Sequence, residues 1–153
     1  MKKPPDIGEI PRPSTRHWAA PYVGIPYVKG GSSFDGVYCW GLVVLVYRVE
    51  LGIDLPAYGA RVDAAERAEI ARLTDEAAAS PVWAKVEGAP QPFDVLAFER
   101  AGIVNHFGVF LRGDEFLHVE EDGDAVHTEQ LQRSRWGARL AGVYRHVGPG
   151  SGA

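Results

Sequence analysis

The sequence predicts an α+β domain in which helices near the N-terminal side pack on an antiparallel β-sheet. Three observations carry this. A long apolar run, Cys39–Leu51, is followed by an Ala-, Glu- and Arg-rich stretch, Asp63–Ala79. From Val82 onward the chain breaks into short apolar-rich segments separated by Gly, Asp and Pro. Helices first and strands after is the pattern of an antiparallel sheet covered on one side. With 153 residues, 46% of them hydrophobic, the chain suffices for one domain with a real core.

Taken in order, residues 1–21 read as an irregular arm, with Pro4, Pro5, Pro11 and Pro13 closed off by Pro21. Residues 22–147 form the expected domain. Cys39–Leu51 suits a strand by its valines, but thirteen residues is long for one. Leu42, Leu45, Val46 and Val49 recur at helical spacing and Gly52 stands at the C′ position, so a helix is expected. Asp63 with Glu66 makes a capping-box start for a surface helix that Ser80-Pro81 ends. Strands are expected at Val82–Val86, Phe93–Phe98, Val104–Leu111, Phe116–Val119, Ala125–Thr128 and Ala141–Val147. Residues 148–153 read as a flexible tail.

The totals exclude several functions. A net charge of −4 argues against nucleic-acid binding through a basic surface. No apolar stretch reaches a membrane span. Met1-Lys2-Lys3 resembles the start of an export signal, but Pro4-Pro5-Asp6 follows where an apolar core belongs. The expectation is a protein made in the cytoplasm without a signal peptide. With one cysteine there is no internal disulfide.

That cysteine, Cys39, follows the glycine-rich loop Lys29–Gly36 and opens the predicted helix. At a helix N-terminus, unpaired N–H groups and the helix dipole favour a thiolate. A lone cysteine with histidines downstream is one pattern of a nucleophile; a small, inert core residue is the other reading. Of the five histidines, His17 and His146 read as surface residues and His127 as part of a short polar strand.

His106 and His118 differ because they flank one hairpin. With Phe107, Val109 and Leu111 facing the core beside Leu117 and Val119, both histidines fall on the opposite face. A two-residue loop at Gly113-Asp114 would separate them, whereas an odd-length loop or a bulge joins them. A three-residue loop, Arg112–Asp114, would set Gly108 opposite His118 and leave His106 a diagonal neighbour. Zinc is disfavoured: there is no second thiol, no CxxC or HExxH spacing, and a fourth ligand would have to come from Glu120 or Asp94. No metal or organic cofactor is expected.

From Tyr22 to Arg145 the wording resembles the NlpC/P60 cysteine peptidases, a papain-like family of bacterial and phage cell-wall hydrolases. Gly24-Ile25-Pro26-Tyr27-Val28-Lys29-Gly30-Gly31 is similar to the family's tyrosine-bearing approach to the nucleophile, and Cys39-Trp40-Gly41-Leu42-Val43 to its Cys-x-Gly-Leu-Val motif. Gly52-Ile53-Asp54-Leu55-Pro56 looks like its usual continuation. Phe93–Phe98 resembles the Gly-Asp-Leu-Val-Phe strand, His106–Phe110 the His-Val-Gly-Ile-Tyr strand, and Phe116-Leu117-His118 the Phe-Ile-His that follows. The resemblance implies Cys39 as nucleophile, His106 as base, His118 as the residue orienting the imidazole, and Tyr27 as an oxyanion donor. The family's Asp before the cysteine and Ser after it are Tyr38 and Trp40 here, with Asp35 the nearest substitute cap.

The implied activity is endopeptidase cleavage of peptidoglycan stem peptides, at the bond after D-γ-glutamyl. The Cys-Trp-Gly-Leu-Val and Gly-Ile-Asp-Leu-Pro-Ala-Tyr-Gly wording looks most like the branch found in phage tails and gene transfer agents. This implies delivery to the periplasm or wall by a virion, with tail or baseplate proteins as partners. Two rivals stand beside it: a structural tail component with a degenerate peptidase fold, and a CHAP-like N-acetylmuramoyl-L-alanine amidase. Trp18, Trp40, Trp83 and Trp136 are candidates to line a groove or to fill the core.

Overall fold

The computed structural model describes residues 17–55, 82–121 and 124–147. The Pro-rich segment up to Arg16, the expected helix Asp63–Ala79 and the tail lie outside the described residues. A 3-10 turn, Ala20–Tyr22, leads to a two-stranded ribbon of β1 (Ser32–Ser33) and β2 (Gly36–Val37). Helix α1 (Cys39–Val46) follows and continues as a wider π-type turn, Tyr47–Leu51. The helix ends as its sequence requires. Gly52 takes the left-handed conformation at φ 68°, which side chains resist, and the Gly52 and Ile53 N–H groups bond back to Arg48 and Tyr47 carbonyls.

The remaining strands are β3 (Trp83–Lys85), β4 (Val95–Arg100), β5 (Ile103–Arg112), β6 (Glu115–His118), β7 (His127–Gln130) and β8 (Leu140–His146). They form one antiparallel sheet in the order β3-β8-β4-β5-β6-β7, with a short helix α2 (Trp136–Arg139) between β7 and β8. The six predicted strands are all present, with ends that differ by a few residues.

Alternation along the central strands divides the core in two. Phe107, Val109, Leu111, Leu117 and Val119 join every apolar residue of α1 in one buried cluster. Leu96, Phe98, Phe110, Phe116 and Val143 point to the other face and meet Leu131 and Trp136. The sheet is therefore covered on both faces, not one, because the loop after β7 folds back and lays α2 over the second face.

Two further expectations change. Trp18, expected in the arm, stacks on Phe93 at 4.4 Å, and Ala19 and Tyr22 are buried, because these apolar side chains gain more from the domain than from water. His146, expected at the surface, is half-buried with its ring edge-on to Trp83 and Tyr47.

Candidate active site

Cys39 is the first residue of α1 and is buried. Its position is fixed by close backbone packing. Val28 N–H donates to the Val37 carbonyl, Val37 N–H to Pro26, and Tyr38 N–H to Gly31. Glycine is required where these segments meet. A Cβ on Gly41 would enter the Gly31 carbonyl oxygen, one on Gly31 would enter the Gly36 carbonyl, and one on Gly36 would strike the Val28 side chain. The glycine-rich loop is thus a packing surface for the start of the helix.

Tyr38 is the N-cap, with extended backbone and no side-chain capping bond. Asp35 does not substitute: it lies exposed in the β1–β2 turn, with its N–H donated to Ser33 Oγ. The first N–H groups of α1 are those of Cys39 itself and of the residues just after it. Tyr27 is half-buried and lies between two relevant segments. It bridges to Val37, two residues before Cys39, and donates its N–H to the Asp124 carbonyl.

The sheet supplies the histidines. The β5–β6 hairpin closes through a two-residue turn, Gly113-Asp114, with Arg112 opposite Glu115, not through the three-residue loop. A bulge between Phe110 and Arg112 restores the parity, since Phe110 pairs with Phe116 and Val109 with Leu117. Continued one step, this register places Gly108 opposite His118. A Cβ at Gly108 would crowd the Phe116 ring and the Leu117 carbonyl. The two histidines share a face, and His106 Nε2 lies 2.8 Å from His118 Nδ1.

The connection does not stop there. His118 Nε2 lies 3.0 Å from Glu129 Oε2, and the same oxygen receives His127 Nε2 at 3.1 Å and Trp136 Nε1–H at 3.2 Å. Trp136 also stacks on the His106 ring at 4.7 Å and meets His118 edge-on. The guanidinium carbons of Arg135 and Arg139 sit 5.0 and 5.3 Å from the Trp136 ring.

Charge follows this geometry. Burial drives the His106 pKa well below its usual value, and the neighbouring His118 and His127 charges act in the same direction. Burial likewise pushes His118 down to about 4, although its hydrogen bond to Glu129 opposes the shift. Burial would also lower His127, but bonds to the Ala125 carbonyl and Glu129, with the Asp124 charge, raise it. Glu129 is lowered: burial opposes this, and the bonds from His127 and His118 outweigh it.

Among the described residues, two clusters bring ligand-type atoms within 4.8 Å of one another: His118, His127 and Glu129; and Glu120, Asp124 and His127. In the first, both imidazoles already share the carboxylate oxygen at hydrogen-bond distance, so protons occupy the directions a cation would need. In the second, Glu120 is engaged by Arg135 and Asp124 by the Glu120 N–H. Asp94, with Glu120 a candidate fourth ligand for the disfavoured zinc site, is held by Arg145 through two bonds of 2.8 Å.

Sequence reasoning therefore found the histidine pair and missed what lies behind it. His127, read as an ordinary strand residue, is 4.6 Å ring to ring from His118. Glu129 fell just past the predicted strand end. The available signal was alternation: His127 and Glu129 are two apart, and β7 pairs them with His118 and Phe116.

This layered arrangement, a buried helix against an antiparallel sheet, is the α+β fold of a known group. The sequence matches the NlpC/P60 family over residues 24–145, and the chain belongs to that family. It is 30% identical over 135 residues to the gamma-DL-glutamyl hydrolase of Bacillus subtilis, covering 83% of this chain and 27% of that protein. The chain thus spans about a quarter of the curated relative it matches. Among solved structures, it resembles the NlpC/p60 domain of the peptidoglycan hydrolase SagA with TM-score 0.58 and 24% identity. That match covers 83% of this chain and 92% of that one. It also resembles NlpC2 from Trichomonas vaginalis, with TM-score 0.62 and 18% identity over 84% of this chain and 44% of that one.

Proposed function

We propose that this protein is a cysteine endopeptidase that cleaves peptidoglycan stem peptides, with Cys39 as nucleophile, His106 as base, His118 as orienting residue and Tyr27 as an oxyanion donor. The observation that best supports the reading is the buried His106–His118 pair, 2.8 Å from Nε2 to Nδ1, with His106 on a strand that packs against the helix Cys39 opens. Helix α1 and strand β5 are in contact, with the rings of Trp40 and Phe107 meeting edge to face at 5.1 Å. With the His106 ring committed through Nε2 to His118, Nδ1 is the nitrogen that would take the thiol proton in this reading.

His106 Nδ1 takes the Cys39 proton as sulfur attacks the substrate carbonyl carbon. The carbonyl π pair moves to oxygen, where the first N–H groups of α1 and the Tyr27 hydroxyl receive it; such a donor can be worth ~3 kcal/mol. Collapse breaks the C–N bond, and His106 returns its proton to the leaving amine. Water then attacks the thioester by the reverse path, regenerating the thiol and releasing the new carboxyl group.

The B. subtilis relative's name and the motif wording support the bond after D-γ-glutamyl as the site of cleavage. The same wording supports a virion tail as the carrier, with tail or baseplate proteins as partners. The test is digestion of diaminopimelate-type peptidoglycan by wild type and Cys39→Ala, read by mass spectrometry of the released fragments. Cuts within the stem peptide that vanish in the variant are expected. Release of whole stem peptides would make the protein an amidase, and no cleavage by either protein would favour the structural alternative.

A further inference from the structure

The hydrogen-bond chain behind the histidine pair ends on one carboxylate oxygen, and its chemistry dictates where each proton sits. A carboxylate only accepts. The nitrogen that His118 turns toward Glu129, Nε2 at 3.0 Å, must therefore carry a hydrogen. A neutral His118 then has a bare lone pair on Nδ1. His106 Nε2, 2.8 Å from that lone pair, must supply the hydrogen between them. A neutral His106 with Nε2–H has its lone pair on Nδ1, the atom that would receive a thiol proton.

We propose that Glu129 is a positioning residue for this site: acting through His118, it fixes the tautomer of His106 and holds Nδ1 ready as the base. The inference rests on the hydrolase reading for its purpose, whereas the proton placement follows from the geometry of two buried, neutral imidazoles. Glu129 is equipped for the task. Trp136 Nε1–H and His127 Nε2 converge on the same oxygen as His118, so the acceptor is held from two other directions. His127 is itself anchored by Nδ1, 2.8 Å from the Ala125 carbonyl oxygen. With acceptors on both ring nitrogens, His127 carries two protons and a positive charge, which favours the ionised Glu129. Of the two arginines near this cluster, Arg135 is spent on Glu120 at 3.1 Å and Arg139 lies over the Trp136 ring. Trp136 doubles as a lid: its face covers His106 and keeps water from competing for the ring.

Among the described residues, Glu129 is the side-chain acceptor that His118 Nε2 meets. With an apolar residue at 129, His118 Nε2 loses its acceptor, its two neutral tautomers become comparable, and His106 follows. In the second His106 tautomer Nδ1 carries a hydrogen and cannot accept one from sulfur.

The test reads protons directly. Two-bond nitrogen–proton NMR correlations of the imidazoles in isotope-labelled full-length protein should show His106 and His118 as Nε2–H tautomers and His127 as doubly protonated. Glu129→Met should give mixed tautomers at both positions. It should also slow Cys39 alkylation and lower kcat at least ~10-fold while KM changes less than about 2-fold. Glu129→Gln, which keeps an acceptor oxygen, should recover part of both rates. A wild-type His106 with the proton on Nδ1 overturns the proposal, and this readout needs no variant to fold. Unchanged tautomers in a folded Glu129→Met overturn it as well. Because the NMR readout needs no substrate, a protein that fails to cut peptidoglycan yet shows the tautomer response refutes the hydrolase reading and leaves the role of Glu129 intact.

Discussion

Acid should destabilise this protein before its carboxylates begin to protonate, and His118 sets the size of the effect. Its side chain is fully buried. Burial lowers its pKa from 6.5 to about 4, against the opposing hydrogen bond to Glu129. A base whose folded pKa is depressed leaves the unfolded chain to take the proton first. Its stabilisation is therefore complete above 6.5 and is lost as pH falls from 6.5 toward about 4. Linkage over these values removes ~2 kcal/mol between pH 7 and 5, a window in which most carboxylates are still ionised. His106 adds loss of the same sign. His127 has the opposite sign: its raised value gives stability that is present in acid and fades as pH rises. Comparison with His118→Gln removes the terms common to both proteins. Urea denaturation at pH 7 and pH 5 should show wild type losing ~2 kcal/mol more than the variant. Equal losses would refute the buried, neutral His118 and the proton chain drawn from it.

Three other outcomes follow from the packing. Gly41→Ala should destabilise the protein by about 1–3 kcal/mol in urea titration, although alanine in a helix is normally worth ~1 kcal/mol more than glycine. The added Cβ meets the Gly31 backbone carbonyl, which cannot rotate aside, so a stabilised variant would disprove the close approach. Arg145→Met should cost ~2 kcal/mol, because the carboxylate of Asp94, a residue 1% exposed, would keep only the Gln91 N–H among its bonds to the described residues. Adding Asp94→Asn should recover part of that loss, and an unrelieved double mutant would argue against the pair. Tyr47→Phe should lower thermal stability by about 1–2 kcal/mol, since its hydroxyl donates to the Phe93 carbonyl at 2.6 Å.

What the sequence makes legible divides by the range of the interaction. The strands of the sheet are visible because alternation and turn residues are local, as are the helix from Cys39 and its glycine stop. The histidine pair was legible through parity, though the hairpin reaches it by a bulge at Leu111 and not by a longer loop. Bulges leave no local mark here: Phe110, Leu111 and Arg112 read as ordinary strand. Glu129 and Trp136 were not legible as site residues, since nothing local ties them to His106. They arrive there only because β7 pairs with β6 and the following turn carries α2 back over the sheet. The second core face was hidden for the same reason, as Leu96, Phe98, Phe110 and Phe116 look like the outward half of an alternating pattern until Trp136 lands on them.

The irregularities of the sheet are concentrated where the site lies. On β5 the register slips between Phe98 and Glu99, so Asn105, next to His106, is the unpaired residue. On the other side of β4 the register slips beside Phe98 again, leaving Ala141 of β8 unpaired. A third slip at Leu111 ends the same strand β5. Bulges bend a strand, increase its twist and re-aim side chains. Here they leave Phe98 opposite His106, with its ring 5.1 Å from Trp136 and 5.8 Å from His106. The apolar platform of Phe98, Phe116 and Trp136 then surrounds an imidazole pair that polar surroundings would leave free to charge. That platform accounts for the depressed pKa values, and the depressed values make Glu129 necessary. A neutral imidazole has two tautomers, an imidazolium only one form. A site that keeps His106 neutral by burial must also choose which nitrogen holds the proton, and in this fold the carboxylate of Glu129 makes that choice from the far side of His118.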